Sequence, residues 1–257
     1  MALFEIRNLT KTFGGLVAVD DFNCSIEHGE LVGLIGPNGA GKTTVFNVVN
    51  GIYKPTAGRV LIDGHDITGK KPNVVAEFGI GRTFQNIRLF TNLTVEENVR
   101  IACHGRADYG LFHSLLHTPT CRRQDAHLTK IARELLDLMG LADRRDELAK
   151  NLPYGHQRRL EIARALALNP KMLLLDEPAA GMNPQESEDL CTLILKIRRD
   201  YDLTILLIEH HMDVVMDICE RIYVLNFGKT IAVGDPASIQ ANREVVEAYL
   251  GEEEESA

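Results

Sequence analysis

The chain has 257 residues, 45% hydrophobic and 25% charged, enough to bury a substantial core as one large α/β domain or two small lobes. A formal net charge of -8 argues against broad affinity for polyanionic nucleic acid, and no apolar run approaches the roughly 18 residues that span a bilayer. Met1 to Leu9 mixes Glu5 and Arg7 with apolar residues and so forms no secretory h-region, and Cys24, Cys103, Cys121, Cys191 and Cys219 lack C-x-x-C spacing, so a cytoplasmic chain with reduced, packing cysteines is expected.

In chain order, Phe4-Glu5-Ile6 and Phe22-Asn23-Cys24-Ser25-Ile26 keep their apolar residues on one face, as antiparallel strands do. The apolar run Leu31 to Ile35 reads as a buried strand, and Thr43 to Asn50 as the helix after it. Arg59 to Ile62 is a further strand running into Asp63-Gly64, a tight hairpin signal. From about Asn86 to Asn151 the pattern turns helical: Thr94-x-x-Glu97 is a capping box, Leu128, Ile131, Ala132, Leu135 and Leu136 share one stripe, and Gly140 suits a C-cap. After Pro170 the βα alternation resumes with a strand at Met172 to Leu175, a helix striped by Leu190, Leu193, Ile194 and Ile197, and strands at Leu203 to Ile208 and Tyr223 to Leu225. Glu252 to Glu255 reads as a solvated acidic end. The expected fold class is therefore α/β: a nucleotide-binding core lobe (1–85 and 170–235) with an N-terminal antiparallel β layer, an inserted α-helical subdomain (86–169), and a C-terminal helix and acidic tail (236–257).

Chemistry concentrates at two strand ends. Gly36-Pro37-Asn38-Gly39-Ala40-Gly41-Lys42-Thr43-Thr44 is a complete G-x-x-x-x-G-K-[ST] phosphate loop between a strand and a helix. In that context backbone N–H groups and the helix dipole receive phosphate oxygens, the Lys42 amine bridges β and γ oxygens, and the Thr43 hydroxyl holds Mg²⁺. The chain thus reads as a nucleotide triphosphatase. Met172 to Leu175 ends in Asp176-Glu177, which alone is better read as a strand ending in a solvated acidic turn. Beside a phosphate loop, Asp176 is the expected Mg²⁺-ordering carboxylate. Alternation along an extended chain would point Glu177 the other way, toward an attacking water, as candidate general base.

Arranged this way, the sequence resembles the ATP-binding cassette (ABC) ATPases over essentially its whole length. Phe13, in Lys11-Thr12-Phe13-Gly14, matches the aromatic that stacks on adenine, and Val19 joins it among the nucleotide-binding residues the resemblance implies. Gln85, in Phe84-Gln85, matches the glutamine that reaches Mg²⁺ and water, and His210 the histidine that contacts the γ-phosphate, with His211 as a less suitable register. Leu152-Pro153-Tyr154-Gly155-His156 aligns with the family signature that meets ATP held by an opposite subunit. Gly155 is kept, Pro153 stands in place of a serine, His156 in place of a glutamine, and Asn183 in place of an aspartate downstream.

The strings around Tyr154 and Met182, with the insert containing Gly110 to Pro119, look like the longer ATP subunit of bacterial branched-chain amino-acid importers. His113, His117 and Cys121 could ligate zinc by spacing, but such a site normally needs further ligands, and a partly apolar surface segment is the plainer reading. The resemblance implies ATP and Mg²⁺, a second cassette (self or paralogue) closing head to tail, membrane permease subunits, indirectly a periplasmic binding protein, and a peripheral place on the cytoplasmic face of the bacterial inner membrane. It also implies a permease helix docking at residues 84–90. Leu89 and Phe90 are the expected anchors, unless they fill the insert's own core. Open alternatives are a lipopolysaccharide-type exporter cassette, a soluble ABC ATPase acting on DNA or the ribosome, and a small-molecule kinase.

Overall fold

A computed structural model describes residues 2–104 and 119–255, without the side chains of 119–122 and 250–255. The zinc reading of His113, His117 and Cys121 therefore falls outside the described residues. The chain divides into two compact units, Met1–Arg82 with Lys171–Ala257, and Thr83–Pro170.

The first unit opens with the antiparallel strands β1 (Ala2–Phe13) and β2 (Leu16–Glu27), whose alternating side chains bury Phe4, Ile6, Phe22 and Ile26. β3 (Leu31–Ile35) is buried at every position and enters α1 (Lys42–Val49) through the phosphate loop. β4 (Ala57–Ile62) pairs with β1 and turns through Asp63-Gly64 into β5 (His65–Asp66). Both turn residues have positive φ (51° and 73°), the backbone that lets a two-residue hairpin follow the strand twist. α2 (Pro72–Glu77) and β6 (Ile80–Arg82) complete this stretch.

The second unit contains α3 (Val95–Cys103), α4 (Pro119–Leu138) and α5 (Tyr154–Ala167). Thr94 and Glu97 form the expected reciprocal cap, with the Thr94 Oγ1 accepting from the Glu97 amide at 3.2 Å and the Glu97 carboxylate from the Thr94 amide at 2.7 Å. Leu128, Ala132, Leu135 and Leu136 are buried as their spacing predicts, each leucine worth roughly 1.5–3 kcal/mol.

Returning to the first unit, the chain adds β7 (Met172–Asp176), α6 (Pro184–Asp200), β8 (Thr204–Ile208), α7 (Met212–Ile218), β9 (Arg221–Asn226), β10 (Lys229–Gly234), α8 (Pro236–Gln240) and α9 (Arg243–Glu255). Among the described residues, one sheet has the order β2-β1-β4-β5 and the other β10-β9-β3-β8-β7-β6, parallel except for the antiparallel edge strand β10. β10 has no counterpart in the sequence reading because Lys229, Thr230 and Val233 are exposed, so apolar alternation is missing there. The acidic stretch expected as a tail continues α9 as helix. Asn183 caps α6: its side chain accepts from the Glu186 amide at 2.9 Å, a role in which Asn equals Asp.

Candidate nucleotide-binding and hydrolysis site

β8 lies between β3 and β7, and the register sets Ile208 beside Leu34 on one side and Asp176 on the other. The phosphate loop, Asp176-Glu177 and Glu209-His210 therefore leave the sheet side by side at the carboxyl ends of parallel strands, where open α/β sheets bind ligands.

The backbone of the loop requires glycine at two of its positions. Gly36 and Gly41 have φ of 144° and 107°, and a Cβ on them would lie 2.0 Å from the Leu225 carbonyl oxygen and 2.5 Å from that of Ala18. Pro37 and Ala40 close the turn through the Ala40 N–H donating to the Pro37 carbonyl at 3.2 Å, while Asn38 and Gly39 are exposed. The Val45 amide donates to the Gly41 carbonyl at 3.0 Å, so the amides of Lys42, Thr43 and Thr44 precede the α1 ladder and form its positive end. The Lys42 ammonium, itself buried, donates to the carbonyls of Gly36 and Pro37, folding its charge over the loop.

Asp176 is buried, and its Oδ2 accepts from the Arg82 Nη2 at 2.8 Å, while the Arg82 Nη1 donates to Asn47 Oδ1 on α1 at 2.8 Å. This clamp was not anticipated from sequence, because it depends on the β6–β7 register that sets Arg82 opposite Leu174. The hydroxyl of the exposed Thr43 and the Asp176 carboxylate are hard oxygen donors, and positions 36, 39 and 41 of the loop carry no Cβ; this donor set fits Mg²⁺.

Glu177 corrects one expectation. β7 ends at Asp176, and Glu177 turns out of the strand with φ of 47°, so a left-handed backbone and not strand alternation aims its side chain. That turn still brings Glu177 and His210 together, with Glu177 Oε2 3.6 Å from His210 Nδ1. Glu209, fully buried and also unanticipated, accepts from the Ala179 amide at 2.8 Å and the His210 amide at 3.2 Å, and faces His211 Nδ1 at 3.2 Å. One carboxylate thus ties the turn after Glu177 to the turn carrying His210, and holds His211 itself. At the end of β1, Phe13 is 41% exposed, meets Tyr53 edge-on at 5.2 Å and has the Lys11 ammonium 4.7 Å from its ring. Val19 is fully buried under Gly41, its Cγ2 3.3 Å from where a Cβ there would sit.

The remaining expected residues belong to the second unit. Gln85 is exposed, and Leu152 is buried at the entry to α5. Pro153 stands immediately before the helix, Tyr154 is exposed, and Gly155 and His156 are half-buried. The Gln157 amide donates to the Pro153 carbonyl at 3.0 Å, so the amides of Tyr154, Gly155 and His156 precede the helical ladder. Four of the cysteines behave as packing residues: burial pushes the thiols of Cys24 and Cys219 up to about 12 and that of Cys191 to about 11, and Cys103 is buried as well, while the side chain of Cys121 lies outside the described residues.

Fold and site together define a P-loop nucleotide triphosphatase with an inserted helical unit. The family model described as ABC transporter matches residues 19–180, more than half of the chain, and that of the branched-chain amino acid ATP-binding cassette transporter matches residues 229–255. The high-affinity branched-chain amino acid transport ATP-binding protein LivG of Escherichia coli K12 is 47% identical over 250 residues, covering 97% of this chain and 98% of its own. The lipopolysaccharide export system ATP-binding protein LptB of Haemophilus influenzae is 38% identical, covering 98% of this chain and 99% of its own. The structure of the ADP conformation of MJ1267, an ATP-binding cassette of an ABC transporter, matches with a TM-score of 0.85 at 32% identity, covering 98% of this chain and 99% of that one. The chain belongs to the ABC transporter family of ATP-binding cassettes, enzymes that bind ATP with Mg²⁺ and hydrolyse it.

Proposed function

We propose that this chain powers the import of branched-chain amino acids as the ATPase subunit of an ABC importer. The observation that carries the ATPase part is the convergence of the phosphate loop, Asp176, Glu177 and His210 on the carboxyl ends of β3, β7 and β8. The importer part is supported by the higher identity to LivG than to the exporter protein LptB, and by the family match at residues 229–255.

In this reading Lys42 and the amides of residues 39–44 bind the phosphates and stabilise charge on the transferring group. Mg²⁺, when bound, would neutralise phosphate charge, with Thr43 and Asp176 as ligands and Gln85 assigned by the resemblance. Glu177 takes a proton from the in-line water, and His210 orients toward the γ-phosphate. Phe13 offers an exposed aromatic face to adenine, and Val19 supports the loop from beneath. The amides opening α5, at Tyr154, Gly155 and His156 with Leu152 and Pro153 before them, receive the γ-phosphate held by a second cassette, so ATP joins two cassettes head to tail. Hydrolysis removes the shared charge and the dimer reopens.

No helix among the described residues is long and apolar enough to cross a membrane. In this reading separate permease subunits carry the substrate across the membrane, with this chain docked peripherally on the cytoplasmic face and a periplasmic binding protein delivering substrate. The test is uptake of labelled leucine, isoleucine and valine by vesicles carrying the assembled transporter. The reading requires uptake that depends on ATP and this chain; ATP hydrolysis without uptake of any of the three would overturn the substrate assignment.

A further inference from the structure

Among the described residues of the second unit, the most deeply buried guanidinium has no role in the mechanism above. Arg158, one turn into α5, is 1% exposed. Its Nη1 donates to the Phe84 carbonyl at 2.5 Å and to Glu161 Oε2 at 3.1 Å, and its Nη2 donates to the Gln85 carbonyl and to the Tyr154 hydroxyl at 3.2 Å. Its partner Glu161, 4% exposed, turns the other oxygen toward the same segment, where Oε1 accepts from the Phe84 amide at 3.4 Å and the Arg88 amide at 3.3 Å. One ion pair therefore takes up four backbone groups of residues 84–88 and one side chain of the signature turn.

We propose that Arg158 and Glu161 are positioning residues that fix the Gln85 segment to the signature turn, so that the two move as one piece during turnover. The functional half of this inference rests on the ATPase reading above. Two features support it. A planar guanidinium can hold two carbonyls, a carboxylate and a hydroxyl at once, which an ammonium cannot match in geometry. And Tyr154, which Arg158 touches, adjoins Gly155, while the Gln85 carbonyl it holds belongs to the expected Mg²⁺-contacting residue; the guanidinium spans both with a single group. A second contact strengthens the segment, since Arg164 donates to the Arg88 carbonyl and lies 4.9 Å over the Phe90 ring.

The test uses two variants of the full chain, Arg158→Lys and the apolar pair Arg158→Met/Glu161→Leu, the second chosen because replacing a whole buried ion pair leaves no uncompensated charge. Hydrogen exchange at the Phe84 and Arg88 amides should speed up by about tenfold in the double variant, the loss of one charge-assisted bond, with amides of α4 unchanged. In steady-state hydrolysis KM for ATP should stay within about twofold while kcat falls by about tenfold or more, the pattern for groups that act only in the assembled transition state. Unchanged exchange at both amides in the double variant overturns the positioning claim whatever the activity. Faster exchange with wild-type kcat overturns its link to turnover. A wild-type chain that hydrolyses no ATP in any assembly would instead count against the ATPase reading, leaving exchange to decide the positioning claim.

Discussion

Replacing Arg82 by methionine tests the clamp on the carboxylate expected to order Mg²⁺. The Arg82 and Asp176 side chains are only 5% and 3% exposed and 2.8 Å apart, so the variant leaves a buried carboxylate without its countercharge. Breaking such a pair from one side costs about 3–5 kcal/mol, and the lost Asn47 bond adds about 1 kcal/mol. For a chain of this size each kcal/mol moves the melting temperature by about 2–4 °C, so a fall of about 8–24 °C is expected. Urea denaturation of wild type, Arg82→Met, Asp176→Asn and the double variant separates charge from packing, because the double variant removes both charges and should be more stable than Arg82→Met alone. If Arg82→Met loses less than about 1 kcal/mol, or the double variant is merely the sum of the two singles, the buried pair does not hold the site.

Gly155→Asp should leave ATP affinity of the isolated chain unchanged by equilibrium titration yet abolish hydrolysis, because a carboxylate at the α5 opening would oppose the γ-phosphate of the second cassette; a large affinity loss would place the signature on its own nucleotide. Phe90→Ala, at a ring 46% exposed, should change stability by less than about 1 kcal/mol and keep basal hydrolysis while transport in the reconstituted system is lost; equal loss of hydrolysis and melting temperature would make Phe90 a core residue. Burial raises the Glu161 carboxyl above its ordinary 4.5 despite opposing bonds from Arg88 and Arg158. The folded state then holds its proton to higher pH than the unfolded chain, so this group's contribution is full below 4.5 and is lost as pH rises through the folded value. Denaturation curves taken at rising pH from 4.5 upward should accordingly show wild type losing stability relative to Glu161→Gln, and the opposite slope would contradict the assignment.

The core of the fold was legible because its signals are local. Leu31 to Ile35 and Met172 to Leu175 announce buried parallel strands by unbroken hydrophobicity, and the phosphate-loop motif fixes the first of them as strand and the stretch after it as helix. Thr94 and Glu97 cap their helix within four residues of sequence. What the sequence hid is what depends on register or on a single dihedral. Arg82 reaches Asp176 across paired strands 94 positions apart, Arg158 reaches Phe84 across 74, and neither pairing leaves a periodic trace. Strand alternation does not set the direction of Glu177, because the strand ends one residue earlier and a positive φ aims the side chain. Edge strand β10 leaves no sequence signal because exposure of Lys229, Thr230 and Val233 removes the alternation on which strand reading depends.

The most direct test of the account is Glu177→Gln with Mg-ATP, measured as steady-state hydrolysis beside size-exclusion chromatography. The amide keeps the shape and hydrogen bonding of the carboxylate but accepts no proton from the water facing it, so turnover should fall by about 10²–10⁴-fold while ATP binding persists and ATP-dependent dimers accumulate. Wild-type turnover in this variant, or its loss together with ATP binding, would remove Glu177 from the centre of the mechanism.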